Sequence, residues 1–321
     1  MDDTTVQKYF EENASKWLND AYVENEYNYP IGWHRSRILM NILGQHFESQ
    51  CLNLLDVGCG GGDLCVIEAE NGHHATGIDQ SEAMIKHAMN RQRTLPNEIK
   101  TRLKFLHADL QTMGDKLPHG TYDAMTAMGV LYYLQKDDIL FSFARDILKP
   151  EGLLLVSCRN RLFDMFNGSK YMVKEIESDS ALDLTKIIEK LYQPIPQDKA
   201  TLFIENLKQA TKLIKSEFKQ FDGECTFSTT QDDINTSQEY TFDIVEELRQ
   251  HTPDQLTANA AKFGFVNLGF YGVHPHLLAP KLSKYLPPQV FNLLSDSLCA
   301  FENLPISLTW SSQFIGIFKK E

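Results

Sequence analysis

The sequence predicts an α/β fold in which a doubly wound, mostly parallel sheet is flanked by helices. Three observations carry this reading. Apolar runs of strand length alternate with helix-period segments from Leu52 to Arg159. The first run, LNLLDV, ends in an acid and then in glycines at Gly58, Gly60, Gly61 and Gly62, after which LCVIEAENG has the period of a helix. The second run, HHATGID, ends on Asp79, 23 residues beyond Asp56. Acids thus stand at the carboxyl ends of successive strands, where open parallel sheets bind ligands.

Composition narrows the class. With 321 residues, 42% of them hydrophobic and 23% charged, the chain can bury a core without disulfide or metal support. A net charge of −12 argues against nucleic acid as the main partner, because phosphate binding draws on Lys and Arg. Cys51, Cys59, Cys65, Cys158, Cys225 and Cys299 form no CxxC pair, which points to reduced thiols in a cytoplasmic protein and to no zinc module. The acidic start MDDTTVQKYFEEN lacks the layout of a signal peptide. No apolar run approaches the roughly 18–20 residues needed to span a membrane.

Taken in order, residues 4–22 place Val6, Phe10, Ala14 and Trp17 on one stripe of a helix. The chain turns at Pro30–Gly32 into a second helix that carries Arg35 and Arg37. After Asp79, SEAMIKHAMNRQ is a helix capped by Ser81, with Met84, Ile85 and Ala88 on its apolar side. RLKFLHADL alternates toward a third strand ending near Asp109, and GTYDAMTAMGVLYYL supplies a fourth through Met125–Ala127. KDDILFSFARDILKPEG is a helix that stops before Pro150, and LLLVSCRNR is a fifth strand apolar enough to be buried on both faces.

Glycines at the turn after Asp56 permit positive φ and leave no Cβ between the main chain and a ligand. Two nucleoside ligands compete for such a turn. The dinucleotide fingerprint GxGxxG needs glycine at position 63, where the chain has Asp63, whereas Asp-x-Gly-x-Gly-x-Gly is met by Asp56, Gly58, Gly60 and Gly62. This second pattern resembles the cofactor loop of the class I S-adenosylmethionine (SAM) dependent methyltransferases. The bland alternative is a glycine turn that serves packing.

The resemblance implies a Rossmann-like, seven-stranded sheet with an antiparallel edge and SAM as cofactor. It implies a cofactor site built from Asp56, Gly58, Cys59, Gly60 and Gly62, with Asp79 and Gln80 at the ribose. Ala108 and Asp109 fall at the adenine edge, and Met128 and Gly129 beside the transferring methyl group. Arg37, or its neighbour Arg35, suits the carboxylate of the methionine moiety. The N-terminal helix is similar to one that covers the cofactor cleft in many small-molecule methyltransferases, so residues 1–50 are expected to form a helical cover.

Residues 51–160 and 251–321 are expected to form the core, the latter with a helix opened by Thr252 and Pro253 and strands at VNLGFYGV and QFIGIFKK. Residues 161–250 interrupt the alternation with amphipathic segments such as LTKIIEKLY. They are expected to form a largely helical, substrate-recognition lid, the alternative being a peripheral insertion used for oligomer contacts, as in a homodimer. Candidate substrate residues are Tyr132, Tyr133, Arg159 and Asn160, and an arginine at the end of the fifth strand suits a carboxylate or phosphate.

A hydroxyl acceptor must lose its proton as attack develops, so a base is sought; His34, Tyr133, His274 and His276 are the catalytic candidates. Without an acidic third ligand the histidine pair predicts no metal site. The function expected is methyl transfer from SAM to an oxygen or nitrogen of a compact small molecule, such as a sugar or secondary metabolite. Its alternative is a protein of the same fold that binds SAM without methyl transfer. A nicotinamide dehydrogenase is disfavoured by Asp63.

Overall fold

A computed structural model describes residues 6–12, 29–48, 50–110, 113, 117–167, 170–178, 180–217, 248–280 and 286–321. Residues 13–22 of the expected first helix, with Ala14 and Trp17, and the polar stretch 228–240 lie outside the described residues.

Helices α1 (residues 6–12) and α2 (Ile31–Phe47) precede the sheet. The alternation then runs β1 (Asn53–Val57), α3 (Asp63–Glu70), β2 (His74–Asp79), α4 (Glu82–Thr94), α5 (Asn97–Lys100), β3 (Leu103–His107), β4 (Tyr122–Ala127), α6 (Asp137–Ile147) and β5 (Leu148–Asn160). Four helices follow: α7 (Asp164–Asn167), α8 (Lys170–Glu177), α9 (Ala181–Leu191) and α10 (Gln197–Glu217). The core resumes with β6 (Gln250–His251), α11 (Pro253–Ala261), β7 (Phe265–Pro275), α12 (Pro288–Asp296), α13 (Ser307–Trp310) and β8 (Ser311–Lys320).

The seven strands along the sheet are ordered β3-β2-β1-β4-β5-β8-β7, and the two-residue β6 pairs with β5 off this path. Strands β1 to β5 are mutually parallel, and β8 runs antiparallel to both β5 and β7. The expected sheet, with its antiparallel edge, is therefore the one observed.

Alternation along β5 shows why it is buried on both sides. Leu153 and Leu155 join Ile38, Leu39 and Leu43 of α2 on one face, while Leu154, Val156 and Cys158 join Phe141 of α6, Leu256 of α11 and Phe314 of β8 on the other. Burying each such leucine stabilises the fold by about 1.5–3 kcal/mol. The two-faced core explains why this run is continuously apolar rather than alternating.

Local signals hold where the chemistry is specific. The Ser81 hydroxyl accepts from Met84 N at 3.2 Å, and Thr252 and Gln255 form a reciprocal capping box with Pro253 in the first turn of α11. At the start of α6, Asp137 ties in the segment where the core resumes: it accepts from Arg249 at 2.5 Å, His251 Nε2 lies 2.9 Å away, and Asn259 donates at 2.7 Å. Helix α10 packs on α12 and on the 3-10 turn Ser297–Phe301, where Phe203 meets Phe301 at 5.1 Å.

Candidate active site

Register brings the loops together. Val57 pairs with both Ile78 and Ala127, so the segments after β1, β2 and β4 leave the sheet side by side. Gly58 N and Cys59 N both donate to Ile78 O, at 2.8 and 3.0 Å, which folds the glycine turn over the end of β2. Between these segments lies a cleft of about 1380 Å³, solvent mouth included.

The glycine turn needs its glycines for different reasons. Gly58 has φ 68°, and a Cβ on it would come within 2.4 Å of Val130 Cγ2. Gly60 has φ 52° with nothing within 4 Å of an added Cβ, so its backbone faces open cleft. Gly62 does not wall the cleft: it is the left-handed N-cap of α3, and a Cβ there would meet the Phe105 ring at 2.6 Å. Its place in the motif reflects packing of α3 on β3, a correction to its assignment as a ligand residue.

Asp79 is held on both sides by backbone donors. One carboxylate oxygen accepts from Gly60 N at 2.9 Å and the other from Ser81 N at 2.8 Å. Burial raises its pKa, and the two N–H bonds oppose the rise. The carboxylate is thereby locked facing the cleft with lone pairs to spare, suited to a vicinal diol. Gln80, Ala108, Asp109, Cys59 and Met128 also line the cleft. Asp56 lies on its floor, only 3% exposed, accepting from Thr126 Oγ1 at 2.7 Å, and burial pushes it up to about 7.

Helix α1 contributes Val6 and Phe10 to the walls. Phe10 meets Tyr133 edge-on at 5.6 Å, and Glu11 accepts from Glu82 N at 2.6 Å and Ala83 N at 3.1 Å, tying α1 to the start of α4. Tyr132 and Tyr133 line the cleft beside Phe10, their own rings 4.6 Å apart. Gly129, at φ 80°, donates its N–H to Ser157 Oγ at 2.8 Å, and an added Cβ would lie 3.1 Å from Tyr132 Oη and 3.3 Å from Arg35 Nη1.

Several expected residues are placed elsewhere. Arg35, not Arg37, lines the cleft. Arg37 is turned away, gripping Glu302 through both its terminal nitrogens, with Nη1 to Oε1 at 3.0 Å. The two arginines sit two positions apart on α2 and so project to different sides of the helix. Asn160 is a structural cap: its amide donates to Leu308 O and Ser311 O at 2.5 and 2.8 Å, and its oxygen accepts from Leu162 N at 3.1 Å.

His34 is buried in a junction with Tyr29, Cys299 and Glu302, its Nε2 3.1 Å from Glu302. The ligand atoms of His34, Cys299 and Glu302 lie within 4.8 Å of one another, but Glu302 is already held by Arg37. The trio reads as a hydrogen-bonded lock between α2 and the C-terminal segment.

His274 stacks on Tyr29 at 4.4 Å and approaches Ser312 Oγ at 3.1 Å; burial, then His276, His34 and Arg35, pushes its pKa well down. His276 stacks on Phe163 at 4.9 Å, and burial pushes it down to about 4. Neither histidine lines the cleft. Tyr133 is raised, first by burial and then by Tyr132, so its phenol stays a donor. These positions correct the base assignments to His34, His274 and His276, while Tyr133 lines the cleft.

One carboxyl that the sequence reading passed over stands near the end of β5. Asp164 is 3% exposed, one oxygen accepts from Asn167 at 3.1 Å and the other has no hydrogen-bond partner, and burial pushes it up to about 7. No sequence signal marks it beyond its place just after a strand end. The described residues of 161–250 form none of the cleft walls, and α10 docks on the 288–301 region instead, so the described part of the insertion does not close over the cleft as a lid.

Comparison with known proteins agrees with this geometry. Residues 55–156 match the family described as a methyltransferase domain. The chain is 29% identical over 129 residues to the ubiquinone biosynthesis O-methyltransferase of Pasteurella multocida, covering 38% of this chain and 53% of that protein. It is 35% identical over 118 residues to the mitochondrial ubiquinone biosynthesis O-methyltransferase of Schizosaccharomyces pombe, covering 36% of this chain and 41% of that protein. The chain thus spans about half the length of these relatives.

Among solved structures, magnesium protoporphyrin IX methyltransferase (ChlM) of Synechocystis PCC 6803 with bound SAH superposes with a TM-score of 0.52 at 14% identity, over 99% of both chains. The cyclase SpnF superposes at 0.51 and 16% identity, over 98% of this chain and 94% of that one. At such identities the likeness is one of fold. Residues 55–156 thus match a methyltransferase-domain family, and the sheet built around them has the fold seen in these methyltransferase and cyclase structures.

Proposed function

We propose that the chain is a SAM-dependent methyltransferase acting on an oxygen or nitrogen of a small molecule. The observation that carries this reading is Asp79, fixed by Gly60 N and Ser81 N at the end of β2 and facing a cleft floored by a glycine turn. Asp79 would accept the ribose hydroxyls, Ala108 and Asp109 would border the adenine, and the Gly58–Gly60 backbone would lie along the methionine moiety. Arg35, which lines the cleft, replaces Arg37 as the partner of its carboxylate.

When bound, SAM supplies a methyl group on a sulfonium, already attached to a good leaving group. The chain's own task is positioning and exclusion of water, since a well-oriented pair of reactants can account for about 7–11 kcal/mol of a barrier. Tyr132 and Tyr133 present π faces and phenol donors at the acceptor end, and Phe10 of α1 narrows the entrance over Tyr133. We read α1 accordingly as a cover.

The relatives' names favour oxygen over nitrogen, and the charge of −12 favours a compact acceptor over a nucleic acid. Incubation with methyl-labelled SAM and pooled phenols, amines and hydroxy acids tests the activity. Release of S-adenosylhomocysteine that Asp79→Ala abolishes is expected. Tight cofactor binding with no transfer to any pool would favour the reading of a SAM-binding protein without methyl transfer.

A further inference from the structure

Arginines in this protein are paired with care. Among the described residues Arg37, Arg91, Arg161 and Arg249 each engage a carboxylate, those of Glu302, Asp63, Glu175 and Asp137. Arg93 and Arg102 donate to Asn90 and to Ala69 O instead, and Arg35 and Arg159 also meet no carboxylate among the described residues. Arg35 donates to the neutral side-chain oxygen of Gln313, and Arg159 lies with its Cζ 5.8 Å from the Tyr132 ring centroid. In both, the buried Nε has no hydrogen-bond partner.

The two guanidinium groups share one place in the fold. Arg159 and Gln313 are register partners across β5 and β8, so the residue that Arg35 contacts stands directly beside Arg159. Tyr132 touches both environments, under Arg159 on one side and close to the Arg35 end at Gly129 on the other. Around them burial pushes the pKa values of His274 and His276 down, and Asp164, within electrostatic reach of Arg159, is pushed up to about 7 by burial. Arg159 is not itself a lining residue of the cleft but lies over the ring of one, Tyr132, so a neutral acceptor group set against this end would desolvate cationic charge without compensation. An anionic oxygen group would supply both the charge and the two acceptors that a guanidinium fork fits.

We propose that Arg159, set over Tyr132 beside the Arg35–Gln313 contact, binds an anionic group of the methyl acceptor, either a carboxylate or a phosphate. The word acceptor rests on the proposed methyltransferase function; the anion site itself does not.

The test uses the full chain, titrated with benzoate, phenyl phosphate and benzamide by calorimetry or ligand-observed NMR, with and without S-adenosylhomocysteine, whose own affinity is measured first. At least one of the two anions is expected to bind at least tenfold more tightly than benzamide, and which one binds names the group. Arg159→Gln is expected to lose at least tenfold for the anion while keeping S-adenosylhomocysteine affinity, with Arg159→Lys intermediate. Raising salt is expected to weaken the anion and spare benzamide in the wild type, a readout that holds even where Arg159→Gln does not fold. Benzamide binding as well as the anions, no binding by either anion, or an unchanged Arg159→Gln would overturn the site. Failure of S-adenosylhomocysteine to bind would instead overturn the cofactor reading, and the anion titration of the free chain would still decide this one.

Discussion

Substituting Asp79 by asparagine changes one atom and tests the cleft's geometry. In the wild type both carboxylate oxygens accept a loop N–H, from Gly60 at 2.9 Å and Ser81 at 2.8 Å. Whichever way the asparagine amide turns, its NH2 faces one of those donors and leaves an N–H unsatisfied. A hydrogen bond to a charged group contributes about 1.5–3 kcal/mol, so loss of the carboxylate at the ribose should weaken S-adenosylhomocysteine binding about ten- to hundredfold. Stability should change less, because removing a buried charge offsets part of the cost of the orphaned N–H, about 1–3 kcal/mol. Since burial raises the Asp79 pKa, wild-type affinity should decline on acidification from a pH above the ordinary carboxylate range, and Asp79→Asn should lose that dependence. Calorimetric titration across pH, alongside urea unfolding, measures both. Affinity within twofold of wild type would refute the assignment of Asp79.

Other expectations separate ligand groups from structural ones. Arg35→Ala should weaken S-adenosylhomocysteine binding with little change in melting temperature, whereas Arg37→Ala should cost about 1–3 kcal/mol of stability through Glu302 and leave affinity unchanged. Gly62→Ala, forcing a Cβ at φ 78° to within 2.6 Å of Phe105, should destabilise by roughly 2–5 kcal/mol from strain and overpacking, read by denaturant midpoint. At Asp137, burial alone would raise the carboxyl, but the bond and charge of His251, then Arg249 and Asn259, hold it down at about 2. Its ionised form therefore contributes stability above the unfolded value, about pH 4, that is lost as pH falls toward 2. Asp137→Ala should remove that acid dependence and cost about 3–5 kcal/mol at neutral pH.

The sheet was legible because strand and helix periods are written directly in residues such as Leu153–Val156, and because a glycine turn after Asp56 has few structural uses. The lining of the cleft was legible for the same reason: Asp79 ends a strand, Gln80, Ala108 and Met128 each follow immediately on one, and strand ends are aligned by register. Gly62 shows the limit of motif reading, since its spacing fits a ligand loop while its Cβ position is claimed by Phe105. Arg35 and Arg37 are equivalent in type, and which one faces the cleft depends on the rotation of α2 against β7 and the Glu302 segment, a long-range fact. His274 and His276 illustrate the same point, because their burial comes from Tyr29, Phe163 and Phe291, which no local pattern associates with them. The insertion was read as a lid from its position after β5, yet α10 carries Phe203 onto Phe301, a contact fixed by tertiary packing.

The most direct test of the account is calorimetric titration of the purified chain with SAM and S-adenosylhomocysteine, beside NAD as a competing nucleoside ligand. The account predicts saturable one-site binding of both sulfur nucleosides, abolished by Gly58→Arg and by Asp79→Ala, and no heat with NAD. Absence of binding in the wild type, or binding that survives both substitutions, would contradict it.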